Sequence, residues 1–160
     1  MGCDIHLFAE KKVLPKWWLF WKSPKWVSID KYSRNPDFGQ YEGEREFEIA
    51  REDRFYTGGR SYNVFCALAN VRAFHFHGDP LCVSQPKGLP KDCCPEIKHE
   101  SELYGSDGHS HSWNTLRELE EFDWSAYTPT TDKFLAEVIP KMKAASDNPD
   151  HVRIVYFFDN

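Results

Sequence analysis

Apolar and polar residues alternate from the start of the chain. Cys3, Ile5 and Leu7 fall on one side and Asp4, His6 and Phe8 on the other, which predicts a β-strand over residues 3–12. Pro15 interrupts it. After the short apolar run Trp17–Trp21, the segment Lys25-Trp26-Val27-Ser28-Ile29-Asp30 reads as a second strand and a hairpin partner for the first. Residues 31–60 are polar and read as loop, with one short strand at Phe47–Ala50 and a turn at Gly58-Gly59. Helical spacing then takes over: Val64, Phe65, Leu68 and Val71 make one stripe on a helix from Ser61 to Arg72. Ala73 to Gly108, with four prolines and three cysteines, reads as a long loop. Thr115 and Glu118 match a capping box that opens a helix carrying Leu116, Leu119 and Phe122. A third helix spans Thr131 to Ala145, its apolar face Phe134, Leu135, Val138, Ile139 and Met142, with a kink expected at Pro140. Val152–Phe158 is almost continuously apolar, as a central strand buried on both faces would be. The expected architecture is α+β: one compact domain over residues 1–160, with a small, mainly antiparallel sheet, about three helices, and the last strand in the middle beside the first.

Composition narrows the class of function. The net charge is -5, a poor match to non-specific nucleic-acid binding, which requires phosphate neutralisation. No run approaches the roughly 20 apolar residues of a membrane span. Asp4 and Glu10 occupy the place of an apolar leader, so no membrane partner and a cytoplasmic location are expected. Five cysteines, an odd number without a C-x-x-C pair, fit a reducing compartment better than a disulfide framework. Trp17, Trp18 and Trp21 belong to the core or, if exposed, to a homo-oligomer face.

Chemistry concentrates in two segments, Cys3-Asp4-Ile5-His6 and Asp107-Gly108-His109-Ser110-His111-Ser112-Trp113. In extended chain, residues two apart point the same way, so His109 and His111 are expected to face one pocket, and Asp4 and His6 to share a face. Cys3 points the other way, as a packed thiol. The pair of imidazoles suits either of two chemistries: general acid and base, with Asp107 fixing a tautomer, or a divalent metal held by Asp107, His109 and His111. The start of the helix at Thr115 would offer free N–H groups to a phosphate. Arg51, Arg54, Arg60 and Arg72 flank the first helix and suit either phosphate contact or surface pairing with Glu44, Glu46 and Glu48; Arg54 and Arg60, beside Gly58-Gly59, are the candidate phosphate ligands, with Ser112 a further polar contact and Trp113 a stacking surface for a base. His75-Phe76-His77, near Asp79, is a weaker metal candidate. Phosphate-loop, dinucleotide-binding, zincin, nucleophile-elbow and zinc-deaminase motifs are missing, as is the paired His-x-Ser/Thr of two-histidine phosphoesterases.

These same stretches carry a resemblance. Met1-Gly2-Cys3-Asp4-Ile5-His6, the segment Arg60–Arg72, Gly88-Leu89-Pro90 and Asp107–Trp113 resemble a family of small uncharacterised bacteriophage and prophage proteins. The resemblance implies an accessory protein working in the host cytoplasm on host nucleotides, enzymes or defence signals. With the residues, it leads to an expected hydrolase, a phosphodiesterase degrading a nucleotide-type signal. There His109, His111, His6 and Asp4 would be catalytic, and Arg54, Arg60, Trp113 and Ser112 would bind substrate. The alternative is a non-catalytic nucleotide sponge or a protein-binding inhibitor of a host defence system.

Overall fold

The computed structural model describes residues 2–19, 21–41, 44–73 and 81–159. His75-Phe76-His77 and Asp79 lie outside the described residues. Four strands form the main sheet: β1 (Asp4–Val13), β2 (Lys25–Ser28), β5 (His109–Thr115) and β6 (Val152–Asp159). Their order is β2-β1-β6-β5 and every pairing is antiparallel. A two-stranded ribbon pairs β3 (Ser33–Arg34) with β4 (Phe47–Glu48). The helices are α1 (Tyr62–Ala69), α2 (Pro95–Tyr104), α3 (Leu116–Glu121) and α4 (Asp132–Ala145). This is the α+β, single-domain architecture that the patterning predicts, with β6 in the middle beside β1. The hairpin of β1 and β2, the α1 and α4 stripes and the complete capping box at Thr115 and Glu118 all form.

Two elements differ from the expectation. Pro95–Tyr104 is a helix inside the expected loop. It buries only Ile97 and Glu100, too narrow an apolar stripe to stand out in sequence, and Pro95 starts it by filling a first-turn position that needs no N–H donor. His109–Thr115, expected only as extended chain ahead of a helix, is a strand of the main sheet, because its backbone pairs with distant β6. Segment 84–88 runs along its outer edge, where the Gly88 N–H donates to the His111 carbonyl (2.8 Å).

The sheet is covered on both faces, which explains the unbroken apolar run of β6. On one face Leu7, Ala9, Ile154, Tyr156 and Phe158 join the apolar sides of α1, α3 and α4. Cys3 packs there too, as expected of a core thiol. On the other, Phe8, Val155 and Phe157 pack under Ile97 of α2, with Tyr104 and Trp113 at the margin. A buried ion pair crosses this second layer. Arg153 meets Glu10 at 2.6 Å and Asp92 at 2.8 Å, and its guanidinium lies over the Trp26 ring. Glu10 also accepts from the Cys94 N–H, so α2 is tied to β1 at its start. All five cysteines are free. No helix among the described residues is long and apolar enough to cross a membrane.

Candidate active-site cleft on the second face

The second face gathers three rings around Phe157. Asp4 and His6 pair with Asp159 and Phe157 across the β1–β6 ladder, so they do share a face. His6 lies 5.0 Å from Phe157, His111 lies 5.0 Å from the same ring, and Tyr104 of α2 sits 4.1 Å from His6. His6 Nε2 is 3.0 Å from Asp159 Oδ2, while Asp159 Oδ1 accepts the Asp4 N–H. His111 Nε2 is hydrogen-bonded to Ser101 Oγ at 2.9 Å. Burial, and then His109, hold the His111 imidazole below its ordinary pKa.

A bulge separates the two histidines of H-S-H. β5 pairs in step with β6 from Thr115 to Ser112, then slips by one residue so that His109 opposes Phe158. Ser110 absorbs the extra residue at φ 50°. His109 therefore stacks on Phe158, which belongs to the first face, and His111 on Phe157, which belongs to the second. The expected shared pocket for both imidazoles is not formed, because the two-residue rule holds only for an unbulged strand. His109 Nε2 is buried without a hydrogen-bond partner among the described residues.

Other expected site residues are corrected by their surroundings. Asp107 is exposed in a single 3-10 turn. Among the described residues no three His, Cys, Asp or Glu are grouped to hold a metal, so the Asp107, His109 and His111 set is not assembled. Ser112 is fully buried and its hydroxyl accepts the Lys87 N–H. Trp113 has Lys87 Nζ 4.1 Å and the Arg153 guanidinium 5.2 Å from its ring, so cations of the chain occupy the place of a stacked base. Arg60 donates from Nε and Nη2 to the two carboxylate oxygens of Asp4 (2.9 and 2.8 Å), which holds the Asp4 carboxyl below its usual range. That pair is spent on itself at the surface. The α3 N-terminus is closed by its own capping box.

The open chemistry lies along β1 instead. β2 ends at the Glu10–Ser28 pair, so the β1 edge from Ile5 to Phe8 has no strand beside it. Asp30 substitutes for one at a single point. Its carboxylate accepts the Ala9 N–H (2.9 Å) and the Phe55 N–H (2.7 Å), pinning segment 51–58 across the gap. Burial raises the Asp30 pKa against those hydrogen bonds and nearby Arg54. The gap is a cavity of about 380 Å³ lined by His6, Asp30, Arg51, Arg54, Tyr56 and the β1 backbone. Alternate residues of an antiparallel ladder turn their N–H and C=O groups to opposite neighbours. Ala9 turns its groups away from β6, and Ile5 and Leu7, in step with it, turn theirs into the cavity. Arg51 and Arg54 are exposed and make no ion pair among the described residues. Tyr56 is kept protonated, its pKa pushed up to about 12 by burial and then by Glu137. Arg51 belongs with Arg54 to the arginines flanking the first helix that suit phosphate contact, whereas Tyr56, Asp30, Tyr104 and Asp159 were not among the expected site residues. Of these, only Asp159, one step beyond the apolar run of β6, had a local signal. No family model, curated protein or solved structure matches the chain.

Proposed function

We propose that the protein is a small phosphodiesterase whose β1 cleft takes a nucleotide-type phosphodiester in the cytoplasm of a host cell. The observation that carries this reading is a histidine oriented by a carboxylate at the lip of a cavity that also presents two uncommitted arginines. Arg51 and Arg54 bind the phosphate oxygens and stabilise the charge that grows on them in the transition state. His6, oriented through Nε2 by Asp159, takes a proton at Nδ1 from the attacking water. The water oxygen bonds to phosphorus, the ester P–O bond breaks, and the leaving oxygen collects a proton from the Tyr56 hydroxyl. His6 returns its proton to Tyr56 through solvent. His109 and His111 have no part in this scheme.

The test is incubation with cyclic dinucleotides and linear phosphodiesters, followed by denaturation and chromatography of the released nucleotides. His6→Ala should lower turnover by about 10²–10⁴-fold, Arg54→Ala should lower kcat as well as raise KM, and His109→Ala should leave turnover unchanged. A second reading, a non-catalytic sponge, is favoured by one observation: among the described residues a single imidazole lines the cavity. Intact ligand recovered after tight binding would select it over hydrolysis.

A further inference from the structure

From Lys11 to Ile29 the chain holds five lysines, four tryptophans and no aspartate or glutamate, in a protein whose net charge is -5. The segment is the β1–β2 hairpin with its connection. Its tip leaves large apolar side chains in solvent: Trp17 is 85% exposed, Trp21 65% and Leu14 54%. Trp18 is half exposed, edge-on to Trp17, with Lys16 Nζ over its ring. Lys16, Lys22 and Lys25 stand exposed around them. The strands below are held by Glu10 and Arg153, and among the described residues Trp17 and Trp18 belong to neither core cluster.

We propose that this hairpin tip is a membrane-surface anchor that sets its tryptophans into the headgroup layer of an anionic bilayer. Tryptophan favours the membrane–water interface, where its apolar ring and its N–H are both satisfied. A collar of lysines adds attraction to anionic lipid, and an intervening carboxylate would cancel it. A protein partner would need a pocket to receive each ring, whereas a bilayer receives a projecting tip as it stands. The lack of a spanning run and of an apolar leader, on which the expectation of no membrane partner rests, does not bear on such a surface contact. The anchor is separate from the cleft: Phe8 to Val13 is five residues of strand, about 17 Å at about 3.3 Å each.

Co-sedimentation with phosphatidylcholine vesicles, with and without phosphatidylserine, tests the proposal. The wild-type protein should pellet with the phosphatidylserine vesicles, and its tryptophan emission should shift to the blue. Trp17→Ser with Trp18→Ser, or Lys16→Gln with Lys22→Gln and Lys25→Gln, should each weaken binding by about tenfold or more. Circular dichroism should show both variants folded, since the altered side chains are exposed. Wild-type protein that stays in the supernatant with both vesicles overturns the proposal. So does a concentration-dependent dimer, abolished by the tryptophan substitutions, that forms without lipid.

Discussion

At the scale of single residues, one buried and one half-buried polar group, Asp30 and His111, carry most of the consequence. Asp30 satisfies two backbone donors that would otherwise face the interior. Removing its carboxylate leaves both unpaired and releases segment 51–58, which carries Arg51 and Arg54. Asp30→Ala should cost about 2–4 kcal/mol in denaturant unfolding, and any activity should fall with it even where the protein remains folded. His111 acts on pH dependence. Its folded pKa lies below the ordinary 6.5, so the native state takes up its proton less readily than the unfolded chain. Stability from this group is complete above pH 6.5 and is lost as the pH falls through the window below it. Thermal unfolding from pH 7 to pH 5 should therefore show a decline in Tm that His111→Gln reduces. An identical decline in both proteins would assign the acid sensitivity elsewhere.

At the scale of elements, the β5 bulge decides which face of the sheet each histidine of H-S-H meets. Ser110 holds a left-handed φ that costs a non-glycine residue about 1 kcal/mol or more. Ser110→Gly should raise the unfolding free energy measured by denaturant, by about 0.5–1 kcal/mol after allowing for glycine's greater unfolded freedom. Ser110→Val should lower it by about 1–2 kcal/mol. Equal midpoints for all three would mean that the strand pairs without a bulge. Nothing in D-G-H-S-H-S-W announces this slip, because register is fixed by the partner strand and the covered face. Features written in local periodicity were legible: the β1 alternation, the α1 and α4 stripes, the Thr115 cap and the apolar β6. Helix α2 was not, since a helix that buries only Ile97 and Glu100 looks like polar loop. The cleft was half legible. His6 and Arg54 stood out by residue type, but the early end of β2 and the Asp30 bridge are long-range events that no local pattern encodes.

For the whole molecule, the antiparallel sheet separates three tasks. Its first face is the main core, and its second face holds the Phe157 ring cluster and the Glu10–Arg153 pair. The β1 edge offers the cleft at one end and the exposed hairpin tip at the other. The account stands on the cleft being one anion site built from His6, Arg51 and Arg54. The most direct measurement is a nuclear magnetic resonance titration of arginine Nε–H and histidine ring signals with a cyclic dinucleotide. Saturable shifts are expected at Arg51, Arg54 and His6, with Arg60 held by Asp4 and His109 behind the bulge both silent. Shifts confined to His109, Arg60 or Trp113, or none at any ligand concentration, would contradict the single anion site.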